Sequence, residues 1–154
     1  MVDVTYRDAV ISDIPEIAKI CFGYFPELDV GMPKSTLDEG AVIQHLCQKI
    51  GSGKPPMILA TCCDSQLIVG LYGLELDRYW WMQEYHVSDY IWYVKPAFRA
   101  FGIGAGLRKQ AEEWSASRGL AFRPMVINLD RLEAKDRAFR MGGYSRVGSI
   151  YAKL

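Results

Sequence analysis

The stretch from Trp92 to Leu107 constrains this chain more than any other: Trp-Tyr-Val-Lys-Pro-Ala-Phe-Arg-Ala-Phe-Gly-Ile-Gly-Ala-Gly-Leu. A run rich in Tyr, Trp, Ile and Val over 86–94 reads as a strand, and Pro96 ends it. Ile103, Leu107, Gln110/Ala111 and Trp114 then recur at helical spacing to about Arg118, with Gly119 as a stop. A strand that enters a glycine-rich turn and opens a helix leaves amide N–H groups unpartnered and aims the positive end of the helix dipole outward. Such a turn suits a phosphate or pyrophosphate. Gly102 and Gly104 let the backbone approach the ligand, and Arg99 adds a charge-assisted donor. The dinucleotide pattern G-x-G-x-x-G fails because Leu107 stands at its third glycine, and no G-x-x-x-x-G-K-[ST] run exists.

The rest of the chain supplies the frame. Residues 4–10 read as a strand. Asp13 and Glu16 fit a capping box, Pro15 fits a first turn, and Ile14, Ile17, Ala18 and Cys21 share a helical face. Phe25 to Pro33 is loop-like. A second helix is expected over 35–50, with Leu37, Ala41, Ile43 and Leu46 on its apolar side, stopped by Gly51-Ser52-Gly53-Lys54-Pro55-Pro56. Met57–Cys63 and Gln66–Leu76, separated by Asp64-Ser65, predict an antiparallel hairpin. A strand at about 121–128, a helix at about 131–141 and a strand at about 144–152 follow. The order β-α-α-β-β-β-α-β-α-β predicts one mixed α/β layer fold and a single domain over 1–154.

Charge excludes some partners. Lys plus Arg and Asp plus Glu number 18 each, so no bulk attraction to nucleic acid or an anionic membrane is expected. No apolar run is long enough to span a bilayer, and the N-terminus lacks a signal-peptide pattern. Cys21, Cys47, Cys62 and Cys63 form no C-x-x-C pair and there are two histidines, so buried reduced thiols and no metal site are expected, in keeping with the cytoplasm.

Arg99-x-x-Gly102-x-Gly104, with the lead-in Val94, Pro96 and Arg99, resembles the GNAT superfamily of N-acetyltransferases. So do the opening block Arg7-Asp8-Ala9, Asp13-Ile14 and Ile17, and the closing block Gly143-Tyr144-Ser145-Arg146-Val147-Gly148-Ser149-Ile150-Tyr151. The resemblance implies a twisted, mostly antiparallel central sheet flanked by helices. It implies acetyl-CoA as co-substrate and a primary amine, in a small molecule or a peptide, as acceptor. It assigns the cofactor to Tyr93, Val94, Arg99, Ala100, Phe101, Gly102, Ile103, Gly104 and Ala105, with a backbone donor near Val94 for the thioester oxygen. Asp89, five residues before Val94, stands where many relatives carry a carboxylate that takes a proton. A solvated strand end is its bland alternative, with Glu84 and His86 as other bases. On an ideal strand Asp89, Ile91 and Tyr93 share one face.

The acid departs from the pattern. The family's tyrosine falls on Phe139 here, and an asparagine before it falls on Lys135. The proton for the leaving thiolate is left to Tyr144, Tyr151, water or the product ammonium. Phe139 keeps open another class of function, a catalytically weak acyl-CoA-binding or interaction module. Tyr72, Tyr79, Trp80, Trp81, Tyr85, Tyr90, Trp92 and Tyr93 alternate with Glu75, Asp77, Glu84 and Asp89, which suits a cationic amine, although most of these rings are expected to pack the sheet. Tyr79-Trp80-Trp81 cannot all face one core, so some should line a pocket or a homodimer contact.

Overall fold

The computed structural model describes residues 3–27, 37–125 and 132–146. Among the described residues five strands lie in sequential order: β1 (Val4–Asp8), β2 (Met57–Cys62), β3 (Ile68–Asp77), β4 (His86–Val94) and β5 (Ala121–Phe122). The first four pair antiparallel and β5 joins β4 in parallel. Helices α1 (Ile14–Tyr24) and α2 (Glu39–Ser52) cover one face, while α3 (Ile103–Ala116) covers the other. Helix α4 (Leu132–Met141) meets the α3 face through Phe139, which packs edge-on against Trp92 of β4. The described parts agree with the mixed α/β architecture expected from the sequence.

β2 and most of β3 are continuously buried because helices lie on both faces. Ile14, Ile17, Cys21, Leu46, Ile50 and Leu59 lead the core under α1 and α2. Val69, Tyr72, Val87, Ile103, Leu107 and Ala111 lead the core under α3. Leu71 and Leu107 are wholly excluded from solvent, so truncating either to Ala should cost about 2–5 kcal/mol.

Several local expectations shift. β1 ends at Asp8, and the hairpin loop runs to Leu67 with Gln66 at φ 57°. Asp13 does not cap α1 with its side chain. It accepts the Val10 N–H at 2.9 Å and holds Arg7 through two bonds of 2.7 and 2.8 Å, which keeps its carboxyl below the usual aspartate range. α2 starts after Asp38, whose carboxylate accepts the Ala41 N–H, and runs to Ser52 before Gly53 closes it in the left-handed region. Its buried side is Leu46 and Ile50, whereas Leu37 and Ile43 are exposed. All four thiols are free, but only Cys21 is buried. The expected strand over 144–152 lies mostly outside the described residues, and 144–146 carry no strand.

Candidate active site

The glycine-rich turn has the geometry its sequence predicts. Pro96–Phe101 form a 3-10 turn, Gly102 sits in the left-handed region at φ 74°, and α3 begins at Ile103. The first α-type bond is Gly106 N–H to the Gly102 carbonyl at 3.1 Å. The amides of Gly102, Ile103, Gly104 and Ala105 therefore precede the helical ladder. Among the described residues no side chain caps this end, and no acid stands in its first turn. A Cβ at Gly102 would enter open space, whereas one at Gly104 would touch the Trp92 indole at 3.4 Å. Gly106 serves packing, since a Cβ there would collide with the Tyr6 ring. Ala100, Phe101 and Ala105 are exposed around the turn, and Ile103 is buried beneath it.

Arg99 turns back from the turn. Its Nε donates to the Val94 carbonyl at 2.9 Å and its Nη2 to Glu27 Oε2 at 2.7 Å, with the guanidinium over the Tyr93 ring. The Tyr93 hydroxyl donates to Glu27 Oε1 at 3.1 Å. Glu27 carried no local signal in the sequence, for it lies 72 positions from Arg99.

β4 contains a bulge that moves the candidate base. Gly73 pairs with Ile91, but Leu74 pairs with Asp89, so Tyr90 is an inserted residue. A Cβ on Gly73 would collide with both Tyr90 and Ile91, which lie on the same side. Tyr90, Ile91 and Tyr93 pack under α1 and α2, and Trp92 and Val94 under α3. Asp89 therefore does not share a face with Ile91 and Tyr93, as an ideal strand would have it. It lies on the α3 side, near Tyr72.

Nor is Asp89 a solvated strand end. It is 5% exposed, and Oδ1 accepts the Met125 N–H at 2.6 Å. Burial pushes its carboxyl up to about 6, against the lowering effect of that bond. The Met125 contact also marks where β4 and β5 part. Their pairing stops at Val87–Phe122, Arg123 N–H still reaches the Val87 carbonyl at 2.7 Å, and the next donor meets a side chain instead of backbone. Two buried polar atoms near the parting, Tyr72 Oη and Trp92 Nε1, have no hydrogen-bond partner among the described residues. Burial, with the Asp89 charge, raises the Tyr72 phenol.

The other candidates separate. Tyr144 Oη donates to Glu112 Oε1 at 2.6 Å, and burial followed by this carboxylate raises its phenol. Its ring packs edge-on against Phe139, and Arg108 lies over both rings. Tyr151 lies outside the described residues. His86 is buried and stacked on Tyr79, and burial followed by the Arg123 charge lowers its imidazole. Glu84 is exposed. Tyr72 and Tyr93 are buried in the sheet, while Trp80 and Trp81 are 88% and 63% exposed. Among the described residues no cluster of His, Cys, Asp or Glu could hold a metal ion.

A sheet of this order, with a glycine-rich turn between β4 and α3 and a parallel β5 leaving β4 after one short pairing, is the GNAT acyl-CoA N-acyltransferase fold. The chain is similar to a GCN5-related N-acetyltransferase of Ralstonia eutropha, with a TM-score of 0.78, 18% identity, and 99% of both chains covered. It is similar to a protein of Clostridium acetobutylicum described as a predicted acetyltransferase and solved with acetyl-CoA, with a TM-score of 0.76, 14% identity, and 99% and 96% covered. An aminoglycoside 6'-N-acetyltransferase of Acinetobacter baumannii gives a TM-score of 0.71, 18% identity, and 99% and 98% covered. No protein-family model and no curated protein matches the sequence.

Proposed function

We propose that the chain is an N-acetyltransferase that moves the acetyl group of acetyl-CoA to a primary amine. The observation that carries this reading is the uncapped N-terminus of α3, opened by Gly102 at the end of the turn that follows β4 and set against Trp92, beyond the point where β4 leaves β5. The residues there fit the cofactor. Amides of Gly102, Ile103, Gly104 and Ala105 offer donors to a pyrophosphate, and open space over Gly102 admits it. Bound there, acetyl-CoA would supply an activated acetyl group for transfer to the amine nitrogen.

Asp89 is the base this reading prefers. A carboxyl held up to about 6 is mostly ionised at neutral pH, yet is a stronger base than an ordinary aspartate. The substrate ammonium would release its proton to Asp89, directly or through water. For the thiolate proton, Tyr144 has a hydroxyl next to Phe139, and Tyr151 stays open. Phe139, 8% exposed and with no hydroxyl of its own, favours a second reading, a catalytically weak acyl-CoA-binding module. The free thiols are in keeping with the cytoplasm, and exposed Trp80 and Trp81 offer a surface for a homodimer.

Two measurements test the reading. Acetyl-CoA at about a hundred times its dissociation constant should stabilise the fold by about 2.7 kcal/mol, seen as a rise in Tm, while NADH and ATP do much less. Equal shifts from NADH would refute the cofactor assignment. Release of coenzyme A with a panel of amines separates the enzyme from the binding module.

A further inference from the structure

The turn that should receive an anion already has carboxylates tied to its cations, and both come from the first helical segment. Glu16 of α1 stands 3.6 Å from Lys95, and Glu27, at the end of the 3-10 turn that follows α1, stands 2.7 Å from Arg99. The Arg99 contact is the tighter. Glu27 binds Arg99 Nη2 with one oxygen and the Tyr93 hydroxyl with the other, while Arg99 Nε holds the Val94 carbonyl. Arg99 and Glu27 are each about one-third exposed, at 33% and 37%, so an incoming anion can compete for the guanidinium. A carboxylate and a phosphate oxygen make the same kind of charge-assisted bond to an arginine.

We propose that Glu27 is a built-in competitor for the cofactor pyrophosphate at Arg99. In the free protein its carboxylate takes the donor that a phosphate would use, and ligand binding exchanges one anion for the other. Glu27 thereby sets the affinity below what the turn alone would give. The exchange also removes one of the ties between the turn after α1 and the β4 exit, leaving the Tyr93 hydroxyl on Glu27 and Lys95 on Glu16, which couples the two segments to ligand binding. This proposal rests on the coenzyme A reading above, and its test uses a probe that does not.

Isothermal titration measures coenzyme A, and separately inorganic pyrophosphate, against wild type, Glu27→Gln, Arg99→Gln and the double variant at low ionic strength. Glu27→Gln should bind both probes about two- to fivefold more tightly, the range expected when a partly exposed ion pair no longer has to be broken. Arg99→Gln should bind both more weakly. In the Arg99→Gln background the Glu27 substitution should lose most of its effect. Glu27→Ala, which removes the carboxylate differently, should tighten binding in the same way. If Glu27→Gln binds both probes no more tightly than wild type at unchanged Tm, Glu27 is only an anchor and the proposal falls. It falls too if the gain persists undiminished without Arg99, or if neither probe binds any form of the protein. Tighter pyrophosphate binding without coenzyme A binding would uphold the exchange and overturn the cofactor reading alone.

Discussion

Replacing Asp89 with asparagine should make the protein more stable and less active. An ordinary aspartate titrates near 3.9, and burial holds Asp89 up to about 6. The shift is about two units, equivalent to about 3 kcal/mol at 1.36 kcal/mol per unit. Its sign follows from linkage. The folded protein binds the proton more tightly than the unfolded chain, so the favourable contribution is complete below about pH 4. It is lost as pH rises through about 6. Wild type at pH 7.5 therefore carries the cost of a buried charge. The introduced amide would stay neutral, its carbonyl oxygen could still accept the Met125 N–H, and its NH2 group would face the Tyr72 hydroxyl. The variant should gain up to about 3 kcal/mol at pH 7.5, a rise in Tm on the order of 5–10 °C for a domain of this size. The gain should shrink toward zero near pH 4. Thermal denaturation of both proteins from pH 4 to 8 measures this. An Asp89→Asn variant that melts at or below wild type at pH 7.5, or whose gain does not change with pH, would refute the assignment of a strained buried carboxylate. Turnover gives the functional half: wild-type kcat/KM should rise through about pH 6 and then level, and Asp89→Asn should lower it by roughly 10²-fold or more if Asp89 takes the substrate proton.

Other perturbations test the remaining parts. Ala105→Glu places an acid in the exposed first turn of α3; it should raise stability by about 0.3–1 kcal/mol through the helix dipole while weakening coenzyme A binding, and a variant that binds as wild type would remove the anion site from this turn. Tyr144→Phe breaks the 2.6 Å bond to Glu112; if Tyr144 protonates the thiolate, kcat should fall with coenzyme A affinity unchanged, and full turnover would exclude it. Phe139→Tyr should leave turnover unchanged or raise it by well under 10²-fold, because the ring is wedged between Trp92 and Tyr144 and the new hydroxyl lacks a shaped position; a loss of turnover at unchanged Tm would contradict this. Gly73→Ala forces a methyl into Tyr90 and Ile91 and should cost about 1–3 kcal/mol by denaturant unfolding; a neutral result would mean the bulge is not packed as described.

The sequence by itself determined the elements that local patterns encode. Glycines at 102 and 104, Pro96 and the spacing of Ile103, Leu107 and Ala111 specify a strand, a turn and a helix start, because backbone freedom and helical period act over a few residues. The missing hydroxyl at position 139 was equally legible. Tertiary structure alone decided where the chemistry points. A strand period of two would have put Asp89 beside Tyr93, but the space left by Gly73 on the neighbouring strand accommodates Tyr90 as an inserted residue, and everything before it changes face. The burial that raises the Asp89 carboxyl then comes from the α3 side of the sheet, and the Met125 N–H that opposes it comes from the segment after β5, not from neighbours in its own strand. Likewise Arg99 was visible as a donor, but the carboxylate that holds it is 72 positions away, brought there by α1 packing across the sheet. Pairing at that separation depends on how layers stack, and no local pattern records it.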